Sequence, residues 1–177
     1  GLDLGAEMEL ATLLPLVIAK VTEVMEADRS SLFLYDKEKD ELWTLVAQGL
    51  DTNEIRLPLS KGIAGHVART GEILNIPDAY ESPLFDQSFD KRTGYRTRSV
   101  LCMPLHDCQG GLLGVTQVLN KKNGEVFTAE DVDFLNALSG QFSVRLENAE
   151  LYRRLEAVFE SVVDAISIAI DERDPVT

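Results

Sequence analysis

Two glycines three residues apart, Gly62 and Gly65, frame Ile63 and Ala64 at the head of a segment with helical spacing. With so little side-chain bulk, the amides of Ile63 and Ala64 can approach a ligand closely. At a helix start they have no intrahelical acceptor, so an anion is stabilised there without an arginine. A second such start follows Asp78, which can cap and leave the amides of Ala79 and Tyr80 for a ligand. The stretch from Asn75 to Thr97 then supplies the rings of Tyr80, Phe85 and Tyr95, with the hydroxyls of Thr93 and Thr97 beside Asp90. Stacking faces and hydrogen-bonding groups of this kind suit a planar heterocycle carrying a ribose. The same residue types also serve as core aromatics and turn-capping threonines, so spacing alone leaves both readings open.

Other chemistries find less material. The two cysteines, Cys102 and Cys108, make no disulfide framework and fit a reducing compartment. With only His66 and His106 beside them, the paired spacing of a zinc site is missing and no metal is expected. No nucleophile stands with a base partner, so the fragment is not expected to be an enzyme in itself. Thirty acidic against seventeen basic residues give a net charge of -13, which repels polyanions and argues against nucleic-acid partners. No apolar run approaches the length of a membrane span and no leader-like segment opens the chain, so a cytoplasmic location is expected.

The elements that must position these residues follow from periodicity. In a chain of 177 residues, one domain plus attached helices fits. Leu10, Leu13, Leu14, Val17, Ile18, Val21, Val24 and Met25 recur at helical spacing, predicting an amphipathic helix over 7–27 with Pro15 in its first turn. Segments 30–35 and 42–47 are β-prone and flank the charged turn DKEKD, which predicts a hairpin. A third short strand falls at 55–57. Ser60 then caps a helix running from Gly62 to Gly71. The polar, aromatic stretch 75–97 is too long for an idle connection and is expected to form a lid. Strands return at 99–105 and 112–119 across the turn DCQGG.

From Thr128, with Glu130 and Asp131 in the first turn, a helix starts, and no Gly or Pro interrupts it from Gln141 to Arg173. Val144, Asn148, Leu151, Leu155, Val158, Val162, Ala165 and Ala169 alternate by four and three. That is a coiled-coil seam, with Asn148 as a register-fixing polar position. About forty residues make a rod of roughly 60 Å, longer than one small sheet can cover, so a homodimer through the N- and C-terminal helices is expected.

The run IRLPLSKGIAGHVARTGEILNIPDAYESPLFDQSFDKRTGYRTRSVLCMPL, from Ile55 to Leu105, resembles the GAF domains of mammalian cyclic-nucleotide phosphodiesterases and cyanobacterial adenylate cyclases. The order GIAG, NIPDAY, TGYRTR and CMP carries the resemblance, and GVTQVLNK and FTAED continue it. It implies an α+β fold of the α/β layered kind, a central antiparallel sheet of about six strands flanked by helices. The expected division is 1–27 as N-terminal helix, 28–150 as sensing domain and 151–177 as linker helix. A cyclic nucleotide (cAMP or cGMP) is the implied small-molecule ligand, with no other cofactor required.

Carried over residue by residue, the resemblance implies that Ser31 lines the pocket floor and that the backbone of Ile63, Ala64 and Tyr80 holds the cyclic phosphate. Asp90, Thr93 and Thr97 contact base and ribose under the lid, and Gln117 lies on the strand beneath. Asn120, Lys121, Phe127 and Asp131 match the Asn-Lys-Phe-Asp-Glu signature, in which the lysine and aspartate pair to brace the pocket. Val132 replaces its final glutamate. Other GAF relatives take bilins, haem or small metabolites, reduce methionine sulfoxide, or serve as dimerisation spacers with an empty pocket. Cys102 is expected in the core and His66 on a solvated helix face. The closing FESVVDAISIAIDERDPVT resembles the opening helix of HD-GYP domains, metal-dependent phosphodiesterases of cyclic di-GMP, which implies an output domain beyond the linker.

Overall fold

The computed structural model describes residues 4–49 and 55–173, with the side chains of 4–12 and 152 left undescribed. Helix α1 (Leu4–Val24) leads into β1 (Ala27–Asp36), β2 (Glu41–Ala47) and β3 (Arg56–Pro58). Next come α2 (Gly62–Thr70), β4 (Leu74–Ile76), a 3-10 turn at Ala79–Glu81 and α3 (Ser88–Thr93). Strands β5 (Val100–His106) and β6 (Leu112–Lys121) follow, and α4 (Ala129–Arg173) closes the described chain. The six strands form one sheet in the order β3-β2-β1-β6-β5-β4, every neighbour antiparallel. This is the α+β sheet architecture that the sequence implies.

Side-chain alternation along the strands divides the core between the two faces. On one face Leu32, Leu101, Met103, Leu105 and Val118 meet Leu14, Ile18, Val21 and Met25 of α1 and Leu135 and Phe142 of α4. On the other face Phe33, Val100, Cys102 and Val115 meet Ile63, Val67 and Ala68 of α2. Each fully buried aliphatic side chain contributes about 2 kcal/mol of transfer free energy, which holds α1 and α2 to opposite sides. The register Arg29↔Leu119, Ser31↔Gln117 and Phe33↔Val115 puts these six side chains on the α2 face, where the two polar partners Ser31 and Gln117 sit together.

Several local expectations need correction. Pro15 lies inside α1, not in its first turn. Pro15 is itself exposed. Ser60 does not cap α2. Lys61 occupies that position in extended backbone, with no side-chain cap bond, so the helix start is left open. Gly71, with φ 74, does close α2 as expected. The stretch 75–97 is built from the end of β4, the 3-10 turn and α3.

Thr128 caps α4 through a reciprocal pair: the Asp131 amide donates to Thr128 Oγ1 at 3.1 Å and the Thr128 amide donates to Asp131 Oδ2 at 2.8 Å. The first half of α4 packs on β5 and β6, whereas beyond Leu146 the helix leaves the sheet. Val144, Leu151, Leu155, Val158 and Val162 are 48–62% exposed, and Asn148, Ala165 and Ala169 are exposed with them. Leu10 of the N-terminal stripe, the side chain of Tyr152 and residues 174–177 of the C-terminal phrase lie outside what is described.

Candidate functional site

A cavity of about 330 Å³ opens between the α2 face of the sheet, the start of α2 and the 85–97 segment. Its floor is Arg29, Ser31 and Phe33 of β1 with Gln117 and Leu119 of β6, which the antiparallel register brings side by side. One wall is Lys61, Gly62, Ile63, Ala64 and Gly65. Gly62 has φ 83, a left-handed backbone that glycine adopts without strain and that turns the chain into the helix. A Cβ at Gly65 would lie 2.8 Å from the Leu59 carbonyl oxygen, so only glycine lets α2 approach the preceding strand so closely. With no side-chain cap at the helix start, Ile63 and Ala64 border the cavity at the positive end of the helix dipole.

Charge is distributed against the chain's overall sign. In a protein of net charge -13, the cavity is lined by Arg29, Arg56, Lys61 and Arg92 against Asp86. Arg56 bonds Asp36 at 3.1 Å and Glu41 at 3.4 Å, and Lys61 lies 3.7 Å from Asp86. Among the described residues Arg29 and Arg92 meet aromatic faces instead of carboxylates, Arg29 at 3.8 Å from the Tyr95 ring centre and Arg92 at 5.4 Å from that of Phe89. Sequence reasoning missed these four cations because no motif singles them out; the two-residue alternation from Ser31 back to Arg29 was the available signal.

Ser31, Ile63, Ala64, Thr97 and Gln117 line the cavity, whereas Tyr80, Asp90 and Thr93 do not. Asp90 is 5% exposed and accepts three bonds, from Tyr80 Oη at 2.8 Å, from the Thr97 amide at 2.8 Å and from Thr97 Oγ1 at 2.9 Å. Through them it ties both ends of the covering segment together. Hydrogen bonding to Asp90, then burial, raises the Tyr80 phenol above its ordinary value. Thr93 Oγ1 donates to the Phe89 carbonyl at 2.9 Å and is exposed.

The second helix start is already satisfied from within the protein, contrary to the reading that left its amides open. The Ala79 amide donates to the Arg98 carbonyl at 2.7 Å and the Tyr80 amide to Asp78 Oδ1 at 3.1 Å. Asp78 therefore caps as expected, but it does so against the amide that was to meet the ligand.

Behind the cavity, Lys121 Nζ lies 3.0 Å from Asp131 Oδ2 and donates to the Met25 carbonyl at 2.9 Å. Asn120 is buried, with φ 58. Phe127 is buried, and its carbonyl accepts from Asn75 Nδ2 at 2.8 Å. Val132, in the place of the signature glutamate, packs against the α1-side core. Cys102 is fully buried and burial pushes its thiol well up, so a bilin thioether there has no access. His66 Nε2 is 3.2 Å from Glu72 Oε2 and does not line the cavity. Among the described residues no three His, Cys, Asp or Glu side chains converge to hold a metal ion, and no helix is long and apolar enough to cross a membrane.

The chain is 38% identical over 168 residues to the dual 3',5'-cyclic-AMP and -GMP phosphodiesterase 11 of Drosophila melanogaster, an alignment covering 86% of this chain and 12% of the relative. It is 34% identical over 181 residues to the dual phosphodiesterase 11A of Takifugu rubripes, covering 92% and 20%. The chain thus spans a fifth or less of the length of these relatives. In structure it is similar to the GAF domain of a phosphoenolpyruvate-protein phosphotransferase from Coxiella burnetii, with TM-score 0.73, 26% identity, and 80% and 84% of the two chains covered. The profile of the GAF domain matches residues 9–146, and the chain belongs to the GAF domain family.

Proposed function

We propose that this protein is a regulatory sensor whose cavity binds a cyclic nucleotide, cAMP or cGMP. The observation that carries the reading is the uncapped start of α2 opening onto the cavity, with Ser31, Gln117 and Thr97 within the same enclosure. The amides of Ile63 and Ala64 hold the single negative charge of the cyclic phosphate, and the hydroxyl and amide side chains meet ribose and base. Relatives named for cyclic-AMP and cyclic-GMP hydrolysis support that choice of ligand. Asp90, Tyr80 and Thr93 then act by holding the cover over the ligand. Asn120, Lys121, Phe127 and Asp131 brace the pocket from behind.

The exposed seam on α4 pairs with the same seam of a second copy, and α1 joins the assembly through its exposed Leu13, Leu16 and Val17. In this reading 1–27 is an N-terminal helix, 28–150 the sensing domain and 151–177 a linker helix. A cytoplasmic output unit follows the linker, an HD-GYP phosphodiesterase of cyclic di-GMP being the choice that the C-terminal resemblance favours. Ligand shifts the output only to the extent that it binds one arrangement of the paired helices more tightly than the other. Calorimetric titration of the purified protein with cAMP and cGMP tests the reading. A saturable heat with one nucleotide per chain supports it, and no heat at millimolar concentration of either leaves a dimerisation spacer or a sensor of another metabolite.

A further inference from the structure

The turn between β5 and β6 faces α4 across a second cavity of about 410 Å³, a volume within the range of small-molecule sites. Asp107 and Cys108 stand on its turn side, and Ser139, Ser143, Val144 and Glu147 on its α4 side. It shares no lining residue with the cavity at α2, and its charge is of the opposite kind. Four cationic side chains line the cavity at α2, whereas this one is lined by two carboxylates and by no Lys or Arg.

Three of its groups have hydrogen-bonding capacity to spare. Ser143 is 8% exposed, and among the described residues its hydroxyl has no hydrogen-bond partner. A hydroxyl so far removed from water costs free energy until something bonds it. Glu147 accepts only from Cys108, Oε1 from the thiol at 3.1 Å and Oε2 from the amide at 3.3 Å. The thiol is a weak donor, and each carboxylate oxygen keeps a further lone pair. Asp107 commits Oδ1 to the Gln109 and Gly111 amides at 2.9 and 2.7 Å, and its Oδ2 accepts no bond among the described residues.

We propose that this cavity is a second ligand site and that it takes a primary ammonium ion: Glu147, Asp107 and Ser143 accept its three N–H donors, and Val144 borders its alkyl part. Such an ion is charged at neutral pH, and the chain's net charge of -13 draws cations toward it. A bare metal ion is served less well, since among the described residues no three His, Cys, Asp or Glu side chains converge. Glu147 stands one residue past Leu146, where α4 leaves the sheet, so an occupant here bears on the start of the projecting helix. None of this depends on a nucleotide in the other cavity.

The test titrates the whole chain with n-butylammonium chloride at constant ionic strength and follows nitrogen-proton correlation spectra. The amides of Cys108, Ser143 and Glu147 are expected to shift saturably while those of Ile63 and Ala64 stay in place. Tetramethylammonium chloride carries the same charge without N–H donors and is expected to bind at least about tenfold more weakly. Glu147→Gln is expected to weaken butylammonium binding by about tenfold and Ser143→Ala by several-fold. Asp133→Asn, which removes an exposed charge of α4 outside the cavity, is expected to leave it unchanged. S143A deletes a single oxygen, so it decides the matter should E147Q fold poorly. No saturable shift at millimolar butylammonium, an equal response to tetramethylammonium, or unchanged affinity in S143A overturns the proposal, whatever cAMP and cGMP do at the first cavity.

Discussion

Lys121 and Asp131 stand ten residues apart, one ending β6 and the other in the first turn of α4, with Nζ 3.0 Å from Oδ2 and both side chains largely buried. Burial alone would push the Asp131 carboxyl up. The Thr128 amide and the Lys121 ammonium outweigh it and hold the group below its ordinary value of 3.8. A depressed folded pKa stabilises the protein above the unfolded value, and that contribution is lost as pH falls through the folded one. The wild type is therefore expected to lose stability progressively below about pH 4, and Asp131→Asn to lose less over the same range. At neutral pH, D131A is expected to cost about 3 kcal/mol, the low end for stranding one member of a buried pair, because Nζ keeps the Met25 carbonyl. Urea unfolding across pH checks both.

Gly65→Ala is expected to destabilise the fold by about 1–3 kcal/mol, since the added methyl would meet the Leu59 and Pro58 carbonyls from rigid backbone. The same displacement of α2 shifts the amides of Ile63 and Ala64, so nucleotide affinity is expected to fall with stability. Gly94→Ala, where nothing lies within 4 Å but φ is 77, is expected to show backbone strain without the loss of affinity. Thermal denaturation and titration on both variants separate the two effects.

The thiols are expected to behave unlike their exposure. Cys108 is exposed, yet its Sγ donates to Glu147 Oε1 at 3.1 Å, and that bond, then the carboxylate's charge, holds the thiol above its ordinary value. Alkylation proceeds through the thiolate, so Cys108 is expected to react slowly at pH 8. Glu147→Gln removes the charge and is expected to speed the reaction several-fold, while Cys102 stays unreactive until the protein unfolds. Mass spectrometry of iodoacetamide-treated protein reads all three.

On the dimer reading, sedimentation equilibrium is expected to give a dimer for the wild type. Leu155→Glu, which places a charge in the middle of the seam, is expected to weaken association by more than about tenfold with the sheet domain still folded. Unchanged association would move the interface away from α4.

Alternation made the hairpin legible and the Gly71 stop marked the end of α2, while the long α4 helix was legible because no Gly or Pro interrupts it from Gln141 to Arg173 and its apolar positions keep helical spacing. The start of α4 at Thr128 was legible from the acidic first turn that follows it, and the reciprocal bonds with Asp131 were added by the structure. Ser60 and Pro15 misled because each was judged by local propensity, and packing of α1 and the Gly62 turn overrode it. The Ala79 amide was misread because its acceptor, the Arg98 carbonyl, lies far along the chain. Arg29 on the cavity floor escaped notice because its importance comes from the β1–β6 register and from Tyr95, neither visible in one segment. Among the ligand contacts that the family resemblance implies, floor and helix-start residues meet at one cavity. Of those drawn from the cover, Tyr80 and Thr97 bond Asp90, while Thr93 is exposed and bonds the Phe89 carbonyl.

The amides of Ile63 and Ala64 are the direct witnesses. In a nitrogen-proton correlation spectrum of the labelled protein titrated with cAMP and then cGMP, these two resonances are expected to move earliest and furthest, together with those of Ser31 and Gln117. Resonances of Ile63 and Ala64 that stay in place at saturating nucleotide, or shifts confined to other surfaces, would contradict the account.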